Sequence, residues 1–281
     1  MFFHRIVPVW IALYLCSLLH AAEIANGQTA LYFFNTHDTI TLTYGDRVVP
    51  LLKHPAKNKR IALIPVNYRT KPGEKQLIVT RNGKRHNMGL KILKGNYPAE
   101  TLKVSESKVH PDKEQQERIS QEYQEANNIY NTFNQERYWN TPFEMPMQSR
   151  ITSRYGTARL FNGSLRSYHS GTDFKASVGT PIHAVNDGVI VLAKDRYYAG
   201  NSVIIDHGEG LYSCYYHLSQ IDVKPGERIS KGASIGLSGN TGRVTGPHLH
   251  FAVMLQGVQV DPMQLLKTIN TLFPQALHAS R

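Results

Sequence analysis

The stretch TGPHLHF, residues 245–251, decides how the second half of the chain is read. Glycine and proline mark a turn, and the residues after them suit a β-strand. Successive strand side chains alternate faces, so His248 and His250 point the same way. Two imidazoles side by side either hold a metal ion or divide metal binding and proton transfer between them.

Working outward, the segment from Ile151 to Leu266 reads as short strands punctuated by glycine turns: NDGVIVLA (186–193), GNSVIIDHGEGLYSCYYHL (200–218) and KPGERISKGASIGLSG (224–239). That spacing predicts an all-β domain. Upstream, YHSGTDF (168–174) sets His169 and Asp173 four residues apart around a glycine that permits a tight bend. One imidazole from the 248/250 pair would complete two nitrogens and one oxygen. Three protein ligands leave a zinc with an open fourth position, the pattern of catalytic sites. Zinc bound there would lower the pKa of water towards ~7 and polarise a carbonyl. His217, at the end of CYYHL, is the natural further proton-handling group. Tyr215, two residues before it, either lines the cleft or packs in the core.

HSGTD, then YYHL, then GNTGRVTGPHLHF, in this order within one β-rich segment, resembles the LytM/lysostaphin-type zinc metallopeptidases of family M23, which cut peptidoglycan cross-bridges. Carried over residue by residue, the resemblance implies one zinc per chain on His169, Asp173 and His250. It implies that His217 and His248 flank the reacting centre, one as general base and one steadying the oxyanion. The implied activity is D,D-endopeptidase cleavage of murein peptides. The alternatives are a D,D-carboxypeptidase sharing the same site and a non-catalytic wall-binding or amidase-activating protein, which the complete ligand set disfavours.

Other polar residues read as structural. His183 and His207 sit in strand and turn contexts without a second ligand attached. Asn162 and Arg166 either contact substrate carboxylates or close a loop. Cys214 is the one cysteine outside the N-terminal segment, so no internal disulfide is expected.

The first half reads differently. MFFHRIVPVWIALYLCSLLHAAE carries Arg5, an apolar run and then small residues, the form of a secretory signal peptide over 1–22. The run is shorter than the ~20 residues of a membrane span, so a periplasmic protein with no stable membrane span is expected. A net charge of +11 suits an anionic wall polymer, and nucleic acid is excluded by compartment. Residues 23–105 alternate apolar and polar positions between turns, with Asn82-Gly83 a hairpin signal, and predict a small β-sandwich-like domain. Residues 106–149 change period: Ile119, Tyr123, Ala126, Tyr130 and Phe133 predict an amphipathic helix starting near Pro111 and Asp112, and the proline-flanked NTPFEMPMQ (140–148) reads as a linker or docking strap. The chain is thus expected to be mainly β: an accessory domain, a connecting helix, a LytM-like domain over 150–266 and a tail over 267–281, acting as a monomer. The N-terminal half also resembles accessory regions of Gram-negative, cell-shape-related members, which cover the groove or position the enzyme on the wall.

Overall fold

In the computed structural model the described residues are 22–274 except 105, 107, 108 and 164. The expected signal segment, all but its last residue, lies outside them.

The N-terminal half forms two sheets. Five strands pair in the order Ala22–Ala25, Lys84–Leu93, Gly73–Arg81, Ile40–Tyr44 and Arg47–Val49. Three more pair in the order Thr29–Asn35, Lys59–Pro65 and Leu52–Lys53. The hairpin turn is at Asn82 and Gly83, both at positive φ (50° and 78°), as a two-residue turn matching the strand twist requires. Leu42, Ile64, Leu77, Leu90 and Ile92 fill the space between the sheets.

Strand Lys59–Pro65 explains why RIALIPV is apolar without a break. Ala62 and Ile64 face this first core, whereas Ile61 and Leu63 are buried in the core of the C-terminal domain. A strand covered on both faces loses its polar alternation. Ile61 and Leu63 each contribute ~1.5–3 kcal/mol of burial, so the two halves are joined by a shared apolar layer.

The C-terminal domain is built on a ten-stranded sheet whose main path runs Ile151–Ser153, Thr172–Lys175, His248–Leu255, Leu211–Ile221, Gly200–Asp206, Gly188–Arg196 and Arg228–Ile229. Alternation sends Phe174, Tyr215, Leu249 and Phe251 to one face, where Trp139, Phe143 and Met147 dock. The 140–148 segment is therefore a strap, held by Glu144 N–H donating to Val185 O and His183 N–H donating to Pro146 O (both 3.0 Å). Helix α2 (Pro262–Asn270) packs on the same face through Leu265, Leu266 and Ile269, so helical structure runs past 266.

On the opposite face lies helix α1 (Lys113–Tyr130), started by a capping box between Asp112 and Gln115. Its Ala126 and Tyr130 pack with Tyr212, Cys214, Ala252 and Met254. The expected apolar stripe is corrected in two places: Tyr123 is 67% exposed, and Phe133 lies beyond the helix and is 41% exposed. Polar contacts set the rotation. Glu122 accepts from Tyr197 N–H (2.9 Å) and Arg118 pairs with Asp195 (2.8 Å), which turns Tyr123 to solvent.

A small third sheet closes one side. Strand Ala158–Phe161 pairs antiparallel with Leu165–Tyr168 and parallel with Ala99–Leu102, which comes from the N-terminal half.

Candidate active site

Asp173 and His250 are directly paired across their strands, and His248 is opposite Lys175. The alternation predicted for residues 248 and 250 therefore holds, and both imidazoles flank the Asp173 carboxylate. His169, at the entry to Thr172–Lys175, completes the group. Its Nε2 is 2.9 Å from Asp173 Oδ1 and 3.0 Å from His250 Nδ1, and His250 Nδ1 is 2.8 Å from the same oxygen.

The donor set fits a metal ion. His169 Nδ1–H donates to Arg154 O (2.9 Å), which turns the Nε2 lone pair inward. Two ring nitrogens and a carboxylate oxygen within 3.0 Å of one another need a cation or a proton between them. Zinc at ~2.1 Å from each atom of a tetrahedral set would place them about 3.4 Å apart, an outward movement of a few tenths of an ångström. Burial alone would raise the Asp173 carboxyl, but hydrogen bonds and charge from His169 and His250 outweigh it and hold it well below the usual carboxylate range. Burial lowers His250 to about 4 despite Asp173. Neutral imidazole and ionised carboxylate are the forms that bind metal.

His217 and His248 stand beside this group, ring centroids 4.9 Å apart. Each commits its Nδ1–H to a backbone carbonyl, Thr241 O and Gly246 O respectively, at 2.8 Å, leaving Nε2 for chemistry. His248 Nε2 is 3.7 Å from Asp173 Oδ1. Burial, with His250 and His248 adding to it, holds His217 well below the ordinary histidine value. His217 also has φ +65°, at a bulged stretch of its strand. Non-glycine residues in this region carry strain that clusters at functional sites.

That irregularity breaks the alternation on which the Tyr215 reading depended. Tyr215 is fully buried, its hydroxyl accepting from Val185 N–H and Ser213 Oγ–H at 3.0 Å. Tyr216 is the aromatic of the site. It is opposite His250 and stacks on its ring, centroids 5.5 Å apart and 5° from parallel. Its hydroxyl is 3.0 Å from that of Tyr130, on α1.

His207 and His183 are structural. His207 is fully buried, bonding Asp187 O and Ser213 Oγ at 2.7 Å, and His183 Nδ1–H donates to Gly232 O. Asn162 exchanges two bonds with the Val104 backbone (3.0 Å each) and so closes a loop. Arg166 lines a surface depression beside Ala99 and Ser167, away from the histidines. Cys214 is buried, 3.4 Å from the Tyr130 hydroxyl.

Two adjoining cavities, about 260 and 280 Å³, meet over His217. Arg159, Phe161 and Arg243 border both, and Glu100, Leu102 and Val104 of the N-terminal half wall the first. The Arg243 guanidinium lies over the rings of Tyr198 and Phe161 (4.1 and 4.5 Å). Sequence reading missed Arg159, Tyr216 and Arg243. A cavity of about 270 Å³ at the domain junction, beside Arg47 and Tyr130, carries no histidine or carboxylate.

A buried two-histidine, one-carboxylate cluster with two further imidazoles beside it, at a cleft on a β-sheet, defines a metallopeptidase-type site. Residues 167–262 match the model of peptidase family M23. The peptidoglycan DD-endopeptidase ShyA of Vibrio cholerae is 47% identical over 116 residues, covering 41% of this chain and 27% of that protein. ShyC of the same species is 42% identical over 115 residues, 40% of this chain and 26% of that one. The DD-carboxypeptidase/endopeptidase Mpg of Neisseria meningitidis is 40% identical over 97 residues, 34% and 22% respectively. The chain thus matches about a quarter of the length of these curated relatives. A solved structure of a Pseudomonas aeruginosa protein assigned to peptidase M23 superposes with TM-score 0.66 at 26% identity, over 89% of this chain and 96% of that one. The accessory half is therefore part of the shared architecture.

Proposed function

We propose that the protein is a peptidoglycan D,D-endopeptidase that opens peptide cross-links of murein in the periplasm, working as a monomer. The observation that carries this reading is the convergence of His169, Asp173 and His250 within 3.0 Å, with His217 and His248 beside them. It is supported by the similarity to ShyA and ShyC, both peptidoglycan DD-endopeptidases. His169, Asp173 and His250 would hold the zinc. When bound, zinc supplies a Lewis acid for the scissile carbonyl and activates water at neutral pH.

The chain's own residues do the rest. His217, kept neutral by burial, offers Nε2 as a proton acceptor. His248, more exposed at 17% of its side chain, presents Nε2 as the second proton-handling group beside the reacting centre. Phe161 and Tyr198 flank the Arg243 guanidinium, which faces a substrate rich in carboxylates. Cross-linked muropeptide dimers incubated with the protein separate the readings by mass. Conversion to monomers supports the endopeptidase, whereas release of terminal D-alanine alone would make it a carboxypeptidase.

A further inference from the structure

We infer that Arg159 is a positioning residue that keeps Asp173 on the metal through one oxygen, and that Glu100, supplied by the N-terminal half, holds Arg159 in place. The inference rests on the zinc reading of the site.

The two carboxylate oxygens of Asp173 have different neighbours. Oδ1 faces His169 Nε2 and His250 Nδ1 at 2.9 and 2.8 Å. Oδ2 accepts from Arg159 Nη2–H at 3.0 Å. A carboxylate whose second oxygen is tied to a guanidinium coordinates through the first alone, and the open coordination position stays available. Arg159 also donates from Nη2 to Ser153 Oγ (3.1 Å), which lies 3.2 Å from His169 Nδ1. One guanidinium thus bears on two ligands.

Arg159 is itself fixed from outside the domain. Its Nε–H donates to Glu100 Oε1 at 2.6 Å. Strand Ala99–Leu102 lies parallel to Ala158–Phe161 with Glu100 opposite Arg159, and a slip of one residue would turn Glu100 to the other face. The side chains are 7%, 15% and 31% exposed for Asp173, Arg159 and Glu100, so the inner pair is poorly screened. The accessory half therefore contributes to the metal site through a carboxylate that is not a ligand.

The test uses the full chain and its Arg159→Met, Arg159→Lys, Glu100→Ala and Arg159→Met/Glu100→Ala variants. Zinc affinity is measured by chelator competition, visible spectra are taken with cobalt(II) in place of zinc, and circular dichroism of the metal-free proteins controls for folding. Arg159→Met should weaken zinc binding about 10–100-fold and reduce the intensity of the cobalt bands, as Oδ2 joins the coordination sphere. Arg159→Lys, which keeps the charge and one donor, should fall between it and the parent. Glu100→Ala should act in the same direction more weakly, and the double variant should be no worse than Arg159→Met, since Glu100 acts through Arg159. Unchanged affinity and cobalt spectrum in a folded Arg159→Met protein overturns the inference, and should that variant not fold, the same result in Arg159→Lys does so. Failure of the parent protein to bind zinc would instead remove the metal reading itself.

Discussion

Asp173 lies opposite His250 in the antiparallel register of Thr172–Lys175 and His248–Leu255, with Oδ1 2.8 Å from Nδ1. Opposed residues share a face of the sheet, so register alone brings two of the three proposed ligands together. Removing the carboxylate leaves two imidazoles, too few to close the site. Asp173→Ala should lose most of its zinc while keeping the β-rich circular dichroism of the parent. Zinc at parent stoichiometry in that variant would contradict the assignment.

The neighbouring pair should separate by role. His248 touches the site from 3.7 Å, so His248→Ala should retain its zinc and lose about 10²–10⁴ in rate, the usual effect of removing a positioned acid or base. His250→Ala should lose both zinc and activity. Metal analysis beside turnover decides, and loss of zinc from the first with retention by the second reverses the roles.

Gly171 has no room for a side chain. A Cβ there would lie 2.5 Å from Phe251 O and 2.6 Å from His250 Nε2. Backbone and the His250 ring would both have to shift, so Gly171→Ala should cost about 1–3 kcal/mol of stability and lower zinc affinity with it. A denaturant midpoint and zinc affinity equal to the parent's would show that the strands part freely.

The shared strand makes the two halves one folding unit. Ile61 and Leu63 are buried in the core of the C-terminal domain, and either residue changed to alanine should cost about 2–5 kcal/mol. Calorimetry should show a single transition moving downward. Two separate transitions, with only the first displaced, would mean that the halves unfold independently.

His207 gives the fold a pH dependence of defined sign. Burial lowers its folded value to about 4 from 6.5, although the bond to Asp187 O raises it. Between these values the unfolded chain binds a proton that the folded chain does not, so stability rises with pH across the window and is lost as pH falls from 6.5 towards 4. At about 1.36 kcal/mol per unit the effect is ~3 kcal/mol. His207→Asn should be less stable at neutral pH yet show a flatter profile between pH 4 and 6.5. An equally steep profile would remove His207 as the cause.

How much was legible depends on how local each relationship is. The spacing of His248 and His250 transfers directly to one sheet face, and the Asn82-Gly83 turn specifies its hairpin. Tyr216 was hidden because the positive φ of His217 interrupts the alternation that Tyr215 was read from. Tyr123 was misplaced because Glu122 and Arg118, polar residues without weight in an apolar stripe, fix the rotation of α1. Arg159 and Glu100 meet across 59 residues of chain, and only the register of a parallel strand pair brings them together.

On the proposed reading, one metal ion held by His169, Asp173 and His250 makes the protein a murein endopeptidase. The direct measurement is cleavage of purified cross-linked muropeptide dimers by chelator-treated protein as zinc is added back, followed by mass spectrometry. The expected outcome is no cleavage without metal, and monomer formation that rises with zinc and levels off at about one ion per chain. Undiminished cleavage by the metal-free protein, or none at saturating zinc by a folded, zinc-loaded chain, would contradict it.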